Sequence, residues 1–418
     1  MPDPDSIRHD SAIVLSGGGA LAAYEVGVMW AILSGETAAT GYQPLDPGIV
    51  TGTSAGALNA AIMVSHLDAG VPQALEYLKH VWLDELAAQP GSGDNGVFRV
   101  RAEPISAFSP ASAFNPVRGN PLQPLRTFAG DVSSLLGTFV RRGSDFFFSS
   151  RSLASRIAQL PDLGAFISTD ALPATLRRVI DLDAIGSSPH ALRIAATNWT
   201  SGTVKIFSNQ ELSGDTGLLA IQASTAIPGL FRPVVIGEDS YVDGGLIMNT
   251  PLRPAIAAGA SELHVIYLDP DVRNIPVTAM ESTLDVLTQS LAIAFAAMTL
   301  RDIEIAALIN EDIRLGTAHN DSNQPDSNQS GNAPAGSPSA RIAARLRGSS
   351  SGPVRTLTIH RYNPRANLGG GLSILDFNRD YIERLIERGF RDGVRHDCEL
   401  NQCILPPRDA GLMNRPGK

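Results

Sequence analysis

The sequence predicts an α/β protein built on a mostly parallel central sheet. Two observations carry that prediction. A short apolar strand, a glycine-rich turn and an apolar helix follow one another twice within the first 65 residues, which is how chains are laid out when helices cover the faces of a parallel sheet. The 418 residues are 43% hydrophobic and 18% charged, enough apolar material for a large core.

In the first unit, residues 12–16 (AIVLS) read as a buried strand running into Gly17, Gly18 and Gly19. A helix over 24–33 follows, with Val26, Met29, Trp30 and Leu33 at helical spacing. In the second unit, the strand at 49–51 ends in GTSAG, and residues 57–64 read as a buried helix. Residues 72–88 are also expected to be helical. From 91 to about 150 the chain turns to Gly, Pro, Ser, Phe and Arg with weak periodicity, and eight of the 14 Phe lie between Phe98 and Phe148. That insertion reads either as a helical subdomain core or as a lid with an aromatic and basic surface suited to phospholipid.

Regular pattern returns with a helix at 172–180, strands at 192–198 and 204–207, and a buried strand at 263–268 that we expect to finish the core sheet. The expected organisation is a main domain over 12–268, a helical extension over 269–315 and a linker over 316–353. A C-terminal strand and helix over 354–418 should pack on the core. The linker is rich in Asn, Ser, Asp, Gly and Pro, too poor in apolar surface to offset its ordering entropy, and is expected to be disordered.

Composition narrows the function. A net charge of -9 opposes nucleic-acid binding. Cys398 and Cys403 are the only cysteines, so disulfides cannot organise the fold, and a cytoplasmic protein is expected. The start, MPDPDSIRHD, does not read as a signal peptide. The apolar stretch 291–300 is too short to span a bilayer, leaving peripheral membrane contact as the expected mode.

The chemistry-bearing segment is Gly52-Thr53-Ser54-Ala55-Gly56, a G-x-S-x-G between an apolar strand and an apolar helix. Such a turn strains the backbone so that the serine hydroxyl is exposed, and the helix directs its positive end at the same point. Gly17, Gly18 and Gly19 could offer free N–H groups either to a phosphate or to the oxyanion of an acyl intermediate. The phosphate-loop ending Gly-Lys-Ser/Thr is absent. A loose dinucleotide pattern through Gly17, Gly19 and Ala22 lacks the acid expected to end the second strand. The third piece is Asp243-Gly244-Gly245, preceded by Tyr241 and Val242. Standing alone, Asp before two glycines is a turn.

Taken in order, the segments SGGGALAAYEVGV, GTSAGALNAA, ASTAIPGLFRPV and YVDGGLIMNTPL resemble the patatin-like phospholipase family over about residues 12–268. The resemblance implies a three-layer α/β sandwich and a lipid acyl hydrolase without metal or organic cofactor. It assigns Ser54 as nucleophile, Asp243 as proton acceptor without an intervening histidine, and Gly17, Gly18 and Gly19 as the oxyanion hole. Gly52, Gly56, Gly244 and Gly245 complete its motifs. The implied substrate is a phospholipid or another acyl-ester lipid. The sequence departs from the family at Leu21 and Ala22, where Arg or Lys and then Gly are common. A non-catalytic lipid-binding scaffold and an acyltransferase using the same pair are the alternatives.

The histidines, His9, His66, His80, His190, His264, His319, His360 and His396, read as scattered, with no metal-ligand spacing. His264 follows both Ser54 and Asp243, the chain order of an α/β-hydrolase triad, and is the runner-up base. Cys398 and Cys403 are expected to be free thiols.

Overall fold

The computed structural model describes residues 8–88, 95–100, 167–168, 170–268, 356–369 and 371–405, with scattered positions between 290 and 311. Nearly all of the Phe- and Arg-rich insertion, the 269–315 extension with its 291–300 stretch, and the 316–353 linker lie outside the described residues.

The elements that build the core are β1 (Arg8–Leu15), α1 (Ala23–Leu33), β2 (Pro47–Thr53), α2 (Ala55–Val64) and α3 (Val71–His80). They continue with α4 (Ala171–Val179), α5 (Leu182–Ser187), β3 (Ala191–Asn198), β4 (Thr203–Ser208) and α6 (Asp215–Ser224). β5 (Val234–Ile236), β6 (Asp239–Asp243), α7 (Leu252–Ala257), β7 (Glu262–Ile266), β8 (Thr358–Tyr362) and α8 (Arg379–Val394) complete the set. One eight-stranded sheet runs β8-β7-β1-β2-β3-β6-β5, with β4 paired to β3. The β8/β7, β7/β1, β1/β2 and β2/β3 pairs are parallel, and only β4, β5 and β6 are antiparallel to their neighbours.

The expected α/β class is what the chain forms. Strand side chains alternate between faces. Ile13 and Leu15 of β1 join a core made with α1, α2, α3 and α8, while Ala12 and Val14 pack with Leu252 and Ala255 of α7 on the other face. Helices therefore cover both sides, which gives three layers. Buried on both faces, β1 reads as an unbroken apolar run over residues 12–15, whereas β2 and β3 also bury Thr51, Thr53 and Thr197.

The sheet does not finish at residue 268. β8 returns after about 90 residues to pair in parallel with β7, His360 opposite His264. Pairing across such a separation leaves no local pattern to read, so the C-terminal strand could be seen in the sequence but not its partner. α8 then packs along α1 at a backbone distance that only glycine permits. A Cβ on Gly27 would fall on the Ile386 carbonyl, and one on Gly389 would fall on the Tyr24 carbonyl. The other elements not expected from the sequence are β5 and β6, of three and five residues, α5 and α7, of six each, and α6, of ten.

Candidate active site

Ser54 and Asp243 meet because two strands share one edge of β3. β4 occupies the other edge along residues 193–198. On the shared edge, β2 pairs with residues 191–195, Thr53 lying opposite Ala195, and β6 takes over at Ala196, which lies opposite Asp243. β2 and β6 run toward each other and stop at the same point. The residue after Thr53 thus faces the last residue of β6.

Ser54 sits there with φ 56° and ψ −128°, a left-handed conformation that a side-chain-bearing residue holds only when its surroundings enforce it. Its Oγ donates to Asp243 Oδ2 at 2.6 Å, while Gly245 N–H donates to Asp243 Oδ1 at 2.7 Å. Both residues are buried. Burial pushes the Asp243 carboxyl up from the ordinary 3.8 to about 7, against the opposing pull of the hydrogen bonds from Ser54 and Gly245. A carboxylate that holds its proton near neutrality is a far better base than a solvated one.

The glycines around the serine are there for clearance. A Cβ on Gly56 would lie 2.7 Å from the carbonyl oxygens of both Leu15 and Ser16, and one on Gly52 would strike the Gly56 carbonyl. The start of α2 is thereby held against the end of β1. Gly56→Val should cost about 2–4 kcal/mol, as overpacking against rigid backbone does, and urea denaturation checks it.

Gly17, expected as an oxyanion donor, has its N–H committed to the Asn249 carbonyl at 3.1 Å. Its role is clearance: a Cβ there would lie 2.5 Å from Asn249 Oδ1 and 2.9 Å from Ser54 Cβ. Gly18 and Gly19 follow, and among the described residues neither N–H has an acceptor. Gly19 has φ +58°, and the carbonyl of Ile374, from the C-terminal part of the chain, packs against its Cα. The departures from the family at 21 and 22 are absorbed locally. Leu21 is buried in the core, and Ala22 keeps ordinary helical backbone while its carbonyl accepts from Asn59 Nδ2 at 3.0 Å.

Three supporting groups lie inside the segments that resemble the family, but nothing local in the sequence marks their roles. Ser224, at the end of α6, accepts from Ser54 N–H at 2.9 Å and donates to the Ala195 carbonyl at 2.7 Å, tying the elbow to β3. Ser224→Ala should leave the buried Ser54 N–H unpaired. We expect a loss of about 1–3 kcal/mol in stability and a roughly tenfold fall in kcat with KM nearly unchanged, measured on a soluble short-chain ester. Glu25 is fully buried beneath the loop, accepting from Ser16 N–H at 2.7 Å and Asn59 Nδ2 at 2.8 Å, while Trp82 Nε1 donates to Asn59 Oδ1 at 2.7 Å. Burial raises the Glu25 carboxyl well above the usual range. This network fixes the end of β1 directly before Gly17. Among the described residues, Asn249 Oδ1, buried beside the same loop, has no hydrogen-bond partner.

His264, the alternative base, is engaged elsewhere. Its Nδ1 lies 3.1 Å from the Tyr362 hydroxyl and its Nε2 3.2 Å from Glu262 Oε1. Nothing stands between Ser54 Oγ and Asp243.

The sequence profile of the patatin-like phospholipase family matches residues 13–256, more than half of the chain. The chain belongs to that family. Membership supports lipid acyl hydrolysis in general, and the matched span contains all three glycine-bearing motifs. Among solved structures, VipD from Legionella pneumophila is similar over 93% of this chain and 66% of its own, at 12% identity and a TM-score of 0.34. This chain thus spans slightly less than two thirds of the VipD chain. No curated protein sequence matches it. Among the described residues no helix is long and apolar enough to cross a membrane.

Proposed function

We propose that this patatin-like protein cleaves fatty acyl esters of phospholipids or related lipids through a Ser54–Asp243 dyad and an acyl-serine intermediate. The observation that carries the reading is the direct 2.6 Å hydrogen bond from Ser54 Oγ to a buried Asp243 carboxyl whose proton affinity is raised to about 7. A scaffold that had given up catalysis has no need to hold these groups in contact in a strained turn.

In the acylation step Ser54 Oγ attacks the ester carbonyl carbon while its proton passes to Asp243 Oδ2. The carbonyl oxygen becomes an oxyanion, taken by the N–H groups of Gly18 and Gly19 with support from the positive end of α2. As the tetrahedral intermediate collapses, the bond to the leaving alcohol breaks and that oxygen takes the proton from Asp243. Water then attacks the acyl-serine, giving one proton to Asp243, and Ser54 recovers that proton as the free fatty acid departs. Gly245 N–H holds the second carboxylate oxygen, so Oδ2 keeps its aim on the serine throughout.

Leu246 and Ile247, next to the dyad, are both 38% exposed. Apolar side chains at that place suit an acyl chain or a lipid surface, and peripheral contact with a membrane is part of the proposal.

The test is intact-mass analysis after a fluorophosphonate probe, with turnover of a short-chain ester and of phospholipid vesicles. One probe adduct on the wild-type chain and release of free fatty acid support the reading. No adduct and no release, with vesicles present, overturn it. Acyl groups recovered on an added alcohol in preference to water would make the same dyad an acyltransferase.

A further inference from the structure

We propose that His360, His396, Cys398 and Cys403 form a closed zinc site that clips the C-terminal turn to the edge of the central sheet. His360 lies on β8; the other three lie on the turn after α8. Their ligand atoms all lie within 4.8 Å of one another. Cys398 Sγ is 3.4 Å from His360 Nδ1 and 3.4 Å from His396 Nε2, and Cys403 Sγ is 3.5 Å from the same His396 nitrogen.

These separations are the edges of a metal tetrahedron. With Zn–S of about 2.3 Å and Zn–N of about 2.0–2.1 Å, tetrahedral angles put sulfur and nitrogen roughly 3.5 Å apart. Hydrogen bonding alone explains the cluster less well, because His396 Nε2 has one proton or one lone pair and faces two sulfurs. A single cation at the centre satisfies all four groups. Two thiolates and two imidazoles form a soft set that selects zinc over magnesium or calcium. Four protein ligands leave no open position, which makes the site structural and not catalytic.

The surroundings fit the same reading. His360 turns its other nitrogen, Nε2, toward Glu262 Oε1 at 3.9 Å, placing a carboxylate behind a ligating histidine. Arg361 N–H donates to Cys403 Sγ at 3.3 Å, an interaction that favours a thiolate. Zinc on His396 Nε2 would put that ring's proton on Nδ1, facing Asn401 Nδ2 at 3.1 Å, and because the same Nδ2 donates to the Arg361 carbonyl at 2.7 Å, the Asn401 side chain must rotate off the ring when the metal binds. The turn already touches the sheet through the Ile359–Ile404 bridge, and zinc would fasten it there.

Glu262, His264 and His360 make a second group that shares His360. It has no sulfur, so the variants separate the two. The intact protein, purified with reductant and without chelator or histidine tag, should carry about one zinc per chain by elemental analysis. Cys398→Ser and Cys403→Ser should each lose it, Glu262→Gln should retain it, and all three should keep the fluorophosphonate adduct. Should a cysteine variant fail to fold, the wild type decides alone. Its two thiols should resist a thiol reagent until a chelator is added, and cobalt replacement should give the visible and thiolate charge-transfer bands of a tetrahedral sulfur-bound ion. Reduced wild type that takes up neither zinc nor cobalt overturns the proposal. So does metal that survives Cys398→Ser, or isolation of the two cysteines as a disulfide without metal.

Discussion

Replacing Ser54 with alanine should abolish probe labelling and lower ester turnover by at least about four orders of magnitude, because the proposed mechanism makes Ser54 Oγ the attacking atom. Asp243→Asn should cost nearly as much in kcat. The amide can keep the hydrogen bond from Gly245 N–H, 2.7 Å from the carboxylate in the wild type, but it cannot take the Ser54 proton. The two losses should not add in the double variant, since both remove one proton-transfer unit. KM should move little in any of them if the acyl chain is held by other surfaces. Steady-state kinetics on a soluble ester, with circular dichroism to confirm folding, measures this. An Asp243→Asn enzyme with near wild-type kcat would mean that another base does the work, and His264, bonded to Tyr362 and Glu262, would have to leave those partners to do it.

The site was legible in the sequence where its chemistry is carried by contiguous segments. A serine elbow needs glycines on both sides, and Asp243 is followed by the N–H that holds its carboxylate, so both are written as short motifs. The brace around them is not local. Ser224 reaches Ser54 N–H across 170 residues, and Glu25 reaches Asn59 across 34, each through a residue type common everywhere. The loop glycines were found as a group, but their roles differ. Gly17 gives up its N–H to Asn249, a contact over 232 positions that no spacing rule records. The fold shows the same division. The strand, turn and helix units were readable because they are short-range. That β8 completes the sheet, and brings His360 onto the cysteine turn, depends on a partner about 90 residues back. The two cysteines looked isolated because one of the histidines that faces them lies on that strand.

The buried acid also leaves a signature in stability. The Asp243 carboxyl has its ordinary affinity of 3.8 when the chain is unfolded and about 7 in the fold. Below pH 4 it is protonated in both states and contributes nothing to the difference. Between about 4 and 7 the unfolded chain releases the proton while the folded chain keeps it, so the unfolded state gains and stability falls as pH rises. Above 7 both are ionised and the loss is complete, on the order of 4 kcal/mol for a shift of this size. Asparagine does not titrate, so Asp243→Asn should be nearly level with wild type at pH 4 and more stable at pH 8, by an amount approaching that figure. Activity should run the opposite way: in the proposed mechanism the ionised carboxylate is the base, so kcat/KM should rise through about pH 7 and level off above it. The conditions that make the enzyme fastest are those in which burying Asp243 destabilises it most. Urea midpoints of the two proteins across pH 4–8, beside the rate profile, test both. Parallel stability curves, or a rate that falls through neutrality, would show that the buried carboxyl does not govern this site.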